Sequence, residues 1–370
     1  MGVKIYYYVL AAVLGLGLLM RQRGRGRRAY VVSMAVLHTF VCGWRYMYLT
    51  GDLRKYAWGY YTITESGWFS ADVFQNGRNF GFFWLQKLFS QLTNGDFQIF
   101  LIVLAVVTEV ALAIVIYRYS PDPCLSYLLW NCFCFYVFGF SAIKQALAMA
   151  LLMLAFLGIM EERPKKFLLW TVLAGCVHTP ALIFLPAYWV SKARLDLRRL
   201  ALYTVSAGAI FAFRVPIVTF ISQFYYDETD FAVNDSVGGR FLMIVALLAV
   251  GLLLRGFRGK NFNKLFNLMA VAAVLQMFSG FDNIFTRLTD YYFQFVILYL
   301  PMMFYPEQDE RVENAPRLRY LRLSAWQRVF ALLCVAVMAC CYYYVFNLSV
   351  TTFSETDNYL NYRFCWEVES

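Results

Sequence analysis

Six cations, Arg45, Arg78, Lys144, Arg214, Arg240 and Arg287, stand at ends of apolar runs where orientation in a membrane disfavours positive charge. Arginine offers a planar fork that matches phosphate oxygens and lysine a point charge. The set therefore points to a pocket for an anionic headgroup, most naturally the phosphate or pyrophosphate of a lipid carrier. The competing expectation for each is a helix end anchored at the interface, or a pair with a nearby carboxylate.

The densest polar cluster is Gly43-Trp-Arg45-Tyr46, followed by Thr50-Gly-Asp52 and Arg54-Lys-Tyr56. There Asp52 is suited to accept a proton or hydrogen bond from a sugar hydroxyl while Arg45 holds phosphate; a structural Arg45–Asp52 pair is the alternative. His38 lies seven residues before Arg45 on the same helical face and is expected to be a satisfied buried imidazole. Ser141-Ala-Ile-Lys144-Gln145-Ala146 opens a helix, whose free backbone donors favour an anion beside Lys144. Arg287 and Asp290 stand three apart with Tyr291 following, either as an internal pair or as a phosphate or sugar contact. His178 is a general-base candidate or a fixed hydrogen-bond donor. Glu109, alone in the middle of its apolar run, is read as a packing residue rather than a proton relay. Cys132-Phe-Cys134 and Cys340-Cys341 lack metal-finger spacing and an accompanying His. No metal and no cofactor is expected.

Positioning such residues falls to membrane helices. The chain of 370 residues is 61% hydrophobic and 19% aromatic, which excludes a soluble globular domain. Its net charge of +10 follows from basic inner loops, so nucleic acid is not an expected partner. The arginine-rich segment 21–28 marks a cytoplasmic loop, and Ile5–Met20 before it reads as an uncleaved first span. Further spans are expected at Tyr30–Leu49, Phe97–Tyr117, Cys124–Phe140, Ala142–Met160, Leu200–Phe213, Phe241–Leu254, Leu265–Gly280, Tyr291–Phe304 and Val329–Leu348. This makes an all-α polytopic membrane protein of about 10 spans, a single membrane domain over 1–370 with both termini outside.

Phe167–Trp189 is apolar but basic at both ends, which fits one straight crossing badly. Pro180 removes a backbone donor and pushes Thr179 away from helical geometry, so a break is expected there, with His178 at the tip of a re-entrant hairpin over 167–189. With that hairpin, 22 of the 33 Lys and Arg fall in inner segments, whereas a single crossing would put the acidic loop Asp227–Asp235 inside and the five arginines of 311–328 outside. The remaining expected features are an outer loop 50–96 containing an interfacial or re-entrant helix Phe80–Leu92, an inner loop 306–328 and an acidic outer tail 349–370.

Several stretches in order resemble one family. They are Gly43, Arg45 and Tyr46 with Gly51 and Asp52; Ala142–Ala148; Leu173–Pro186; Arg287–Phe293 running on to Pro301; and Asn361–Phe364. The chain resembles the EpsG-like membrane proteins of bacterial exopolysaccharide and capsule assembly, regarded as Wzy-type polymerases. Lys144 stands where that family usually has Arg, and Arg78-Asn-Phe-Gly81 where a Glu-Pro-Gly-Tyr-like motif is common. The resemblance implies a GT-C-like glycosyltransferase in the bacterial cytoplasmic membrane that joins polyprenyl-pyrophosphate-linked oligosaccharide repeat units on the outer face. In that reading His178, Asp52 and Asp290 are catalytic, Arg45, Lys144, Arg240 and Arg287 bind phosphate, and Gln145, Arg78 and Tyr291 contact sugar. Partners would be membrane lipids and the pathway's flippase and chain-length regulator. A transporter or flippase of lipid-linked glycans, or a membrane acyltransferase with His178 as base, remain open alternatives.

Overall fold

The structure, a computed structural model, describes residues 4–20, 24–74, 77–225, 238–256, 259–305, 323–344 and 361–367, with side chains of 221–225 excepted. In chain order the helices are α1 (Lys4–Leu19), α2 (Gly24–Gly43), α3 (Gly51–Glu65), α4 (Ala71–Phe74), α5 (Phe80–Leu92) and α6 (Phe97–Tyr119). Next come α7 (Pro123–Cys132), α8 (Phe135–Ser141), α9 (Ile143–Met160), α10 (Pro164–Val177) and α11 (Ala187–Lys192). The rest are α12 (Leu197–Ala212), α13 (Arg214–Tyr225), α14 (Gly239–Arg255), α15 (Lys260–Gln276), α16 (Asn283–Phe293), α17 (Val296–Phe304) and α18 (Ala325–Tyr343). They form two compact units, one of Met1–Leu182 with Phe330–Ser370, the other of Ile183–Val329. The acidic loop 227–235, most of the loop 306–328 and tail 349–370, and residues 21–23 lie outside the described residues.

Among the described residues, α6, α9 and α18 are long and apolar enough to cross a membrane singly. Two bent pairs, α7 with α8 at 49° and α12 with Arg214–Phe220 at 63°, raise that number to as many as five. Among the described residues the structure is all-helical, with apolar helices suited to a membrane. Local chemistry explains why fewer unbroken spans appear than the hydropathy suggests. Cys134 adopts a left-handed φ of 69° and divides the expected span Cys124–Phe140. Asp282 accepts from the Ile284 amide at 2.6 Å and so starts α16 well before Tyr291, the expected start of that span.

In the first unit α2 runs antiparallel to α6, with Gln98 donating to the Gly43 carbonyl at one end (2.7 Å) and Arg27 to the Tyr117 and Ser120 carbonyls at the other (2.7 and 2.6 Å). A guanidinium on the last carbonyls of α6 satisfies acceptors that the helix cannot, and meets the negative end of its dipole. Glu161 gathers Arg118 (3.1 Å), Lys166 (3.1 Å) and Arg163 (3.6 Å) at this same end. The tight turn after α9 returns the chain as α10, packed so closely that a Cβ on Gly158 would lie 2.6 Å from the Phe167 amide nitrogen. Backbone cannot yield as a flexible side chain does, so Gly158→Ala is expected to lower stability by about 2 kcal/mol; thermal unfolding in detergent measures it, and an unchanged midpoint would refute this packing account.

In the second unit α15 and α16 pack against each other around Met277, Phe278 and Phe281, with Val218 of α13 in the same cluster. Asn267 donates to the Val190 and Ala193 carbonyls (3.1 and 2.8 Å), fixing α11 on α15, and Tyr292 donates to the Ile183 carbonyl at 2.8 Å.

Candidate functional site

The residues singled out from the sequence separate into three groups. The first centres on Lys144, in the opening turn of α9. Its N-cap, Ala142, has no side-chain acceptor to offer the free amides of that turn. The half-buried ammonium is ringed by Phe83 (5.2 Å to the ring centre), Tyr56 (5.3 Å) and Phe82 (6.0 Å). Asp52 acts on it electrostatically, yet among the described residues no carboxylate lies within ion-pair distance of Lys144. The Asp52 carboxylate is exposed and pairs with Lys55 at 3.9 Å. Gln145 is buried beside Lys144. Three faces of aromatic carbon hold a cation by their ring quadrupoles while leaving its N–H donors to a ligand.

His178 meets the same element as Lys144. It ends α10 in extended geometry (φ −146°, ψ 102°), its amide donating to the Ala174 carbonyl at 2.8 Å and its carbonyl accepting from Ala181 at 2.9 Å. The 3-10 segment Thr179–Phe184 follows, so the helix does break at the His-Thr-Pro sequence. On one side of His178, Cys176 abuts Gly81, where a Cβ would come within 2.9 Å of the Cys176 Cβ. On the other, Asn79 accepts from the Thr179 amide at 2.8 Å, and its own amide donates to the Thr179 hydroxyl at 3.3 Å. Asn79, at the N-cap position of α5, has a left-handed φ of 54°, which Asn adopts more readily than most residues other than glycine. The first turn of α5 therefore touches the His178 segment through Asn79 and Gly81, and Lys144 through Phe82 and Phe83. Arg78, the residue before it, is exposed.

Arg45 forms the second group and lies deeper than its position at the end of an apolar run suggests. It is 1% exposed, donates to the Cys42 carbonyl and sits 5.7 Å from the Phe140 ring centre. The tail covers it. Tyr46 donates to the Arg363 carbonyl and Cys365 to the Trp44 carbonyl (both 2.9 Å), and Tyr362 donates to the Val41 carbonyl at 2.7 Å. Phe364 and Trp366 stack at 4.5 Å above Phe40. Two stretches some 320 residues apart in sequence are thus one structural feature. His38 is a fully buried imidazole bonded to the Met34 carbonyl (2.8 Å) and the Asn131 side chain, as expected.

The third group belongs to the second unit. Asp290 is paired with Arg240 rather than Arg287, and the Arg240 guanidinium lies 4.7 Å from the centre of the Phe293 ring. Exposed Arg287 acts on Asp290 electrostatically. Tyr291 is fully buried beside the pair. Arg214 donates to the Phe211 carbonyl at 2.8 Å, the local anchoring that one expectation allowed.

The model of the EpsG family matches residues 28–364. The chain belongs to the EpsG family. No curated protein and no solved structure matches it. EpsG membership makes it a membrane protein of polysaccharide biosynthesis. All three groups fall within the EpsG match, as does the tail strap over Arg45 as far as Phe364. The sequence reading did not include Tyr56, Phe82 and Phe83 as the surround of Lys144, nor the Asn79–Thr179 link. Thr50, which accepts from the Leu53 amide at 3.1 Å, and the buried stripe Leu53, Ala57, Tyr60 and Ile63 were the available signal for α3, the helix that carries Tyr56.

Proposed function

We propose that this EpsG-family protein is a GT-C-like polymerase that joins polyprenyl-pyrophosphate-linked oligosaccharide repeat units into exopolysaccharide or capsule on the outer face of the bacterial cytoplasmic membrane. The observation that carries the reading is the Lys144 ammonium, half-buried among three rings with no ion-pair partner among the described residues, on the same α5 turn that holds the His178 segment. Such a cation suits a diphosphate leaving group, and an imidazole carried by the segment on that turn suits a hydroxyl nucleophile.

The growing chain on its lipid pyrophosphate is the donor, and a sugar hydroxyl of the next lipid-linked unit is the acceptor. The bond from the anomeric carbon to the pyrophosphate oxygen breaks as the bond to the acceptor oxygen forms. The hydroxyl proton passes to His178, and the departing pyrophosphate keeps the electron pair, neutralised by Lys144. Asp52 is assigned to hold Lys144 toward the ligand and to accept a sugar hydroxyl, and Gln145 and Arg78 to contact sugar. Arg287, exposed, is assigned to a phosphate, and Tyr291 to support it; Arg240 and Asp290 are assigned to position one another. Arg45 is assigned to the field beneath the site. We assign residues 167–189 to a re-entrant hairpin that carries His178 to the outer face, and the pathway's flippase and chain-length regulator as partners.

Cells that make the glycan and carry Lys144→Met test the class of activity. Loss of long polymer with single repeat units accumulating on the outer leaflet is the expected result. Units held on the inner leaflet would mark a flippase, and full-length polymer lacking only acyl groups would mark an acyltransferase; either overturns the polymerase reading.

A further inference from the structure

His178 lies between two contacts that tie its segment to the start of α5. Before it in the chain, Cys176 meets Gly81 so closely that a Cβ on Gly81 would lie 2.9 Å from the Cys176 Cβ and 3.0 Å from its carbonyl oxygen. After it, the Asn79 Oδ1 accepts from the Thr179 amide at 2.8 Å and from the Thr179 hydroxyl at 3.3 Å. The Asn79 amide in turn donates to that hydroxyl at 3.3 Å. The His178 amide makes the last bond of the α10 ladder, and Pro180 has no amide to give. The Thr179 amide is thus the one backbone donor between the end of α10 and Ala181, and its acceptor is a side chain 100 residues away in sequence. Gly81 is followed directly by Phe82 and Phe83, two of the rings that surround Lys144.

We infer that Asn79 is a positioning residue for His178. It acts through Thr179, and the Gly81 contact with Cys176 is its second point of hold. One contact alone would let the segment pivot, whereas contacts on both sides of His178 fix its place on the turn that carries the surround of Lys144. A base and a cation that serve one breaking bond must keep their separation, and a shift of about 1 Å can cost about 100-fold in rate. The effect on elongation rests on the polymerase reading above, whereas the link itself does not.

The test uses the purified full-length protein. Asn79→Gly removes the acceptor, and glycine keeps the left-handed φ of 54° without strain. It should lower kcat for elongation about 10-fold and leave KM within about 2-fold of wild type. The bonds it removes are exposed, so the melting temperature should stay within about 3 °C. In His178→Ala protein the same change should cost nothing further, because a residue that places a base has no effect once the base is gone. Thr179→Val, which removes the hydroxyl from the other side of the link, should be silent there too. Losses that multiply across Asn79 and His178, or a raised KM with kcat unchanged, would overturn the inference. Hydrogen exchange separates the link from the reaction. Asn79→Gly should speed exchange of the Thr179 amide about 10-fold whether or not the protein elongates glycan, and an unchanged exchange rate would also overturn the inference. Wild-type protein that elongates nothing, with faster exchange in Asn79→Gly, would refute the polymerase reading and with it the part of Asn79 in elongation, leaving the link as a fact of the fold.

Discussion

Replacing His178 by alanine is expected to slow elongation of lipid-linked glycan by about 100-fold or more while leaving the melting temperature within a few degrees of wild type. The backbone of His178 is fixed by the Ala174 carbonyl and the Ala181 amide, and the neighbouring Asn79–Thr179 and Gly81–Cys176 contacts involve no imidazole atom. These backbone and neighbour contacts do not depend on the ring, so the segment should keep its course while the chemistry is lost. In the proposed mechanism His178, half-buried in a segment that packs on the same α5 turn as Lys144, takes the acceptor's proton while Lys144 neutralises the leaving diphosphate. A rate loss below about 10-fold would remove His178 as the general base, since positioned bases contribute 10²–10⁴.

The second large effect is on stability. Asp290 is 1% exposed and its partner is Arg240, so Asp290→Ala strips the counter-charge from a mostly buried guanidinium lying against Phe293. The expected cost is about 3 kcal/mol or more, read as a lowered unfolding midpoint. A double substitution, Arg240→Met with Asp290→Leu, replaces both charges by carbon of similar volume and should be closer to wild type than Asp290→Ala alone. The asymmetry arises because the paired charges were already desolvated, and the penalty lies in leaving one of them alone. An Asp290→Ala protein as stable as wild type would show that Arg240 finds water or another partner.

Much of this was legible before any coordinates. The break at His178 lies two residues before Pro180, which lacks the amide that would continue α10, although Thr179 between them already belongs to the 3-10 segment, and α5 occupies the Phe80–Leu92 run picked out from its apolar content. Lys144 opening α9 was legible because Ser141, Lys144 and Gln145 interrupt two apolar runs. Pairings between distant segments were not. Nothing local distinguishes Arg240 from Arg287 as the partner of Asp290, because the choice is made by the packing of α14 near α16. The burial of Arg45 depends on a tail that returns after more than 300 residues to cover it. Glu109 stands alone in its own run because Arg45 and Trp130, which line one cavity with it, come from distant stretches of sequence. Hydropathy also does not show where a span bends, since a left-handed residue such as Cys134 can bend a helix without changing its apolar content.

The most direct measurement uses purified protein in lipid vesicles supplied with a polyprenyl-pyrophosphate-linked repeat unit and no other protein, with the glycan products resolved by length. The account predicts a ladder of products, each one repeat unit longer than the last, with free polyprenyl pyrophosphate released in step, and no ladder from Lys144→Met or His178→Ala. Wild-type protein that leaves every repeat unit at its starting length would contradict it.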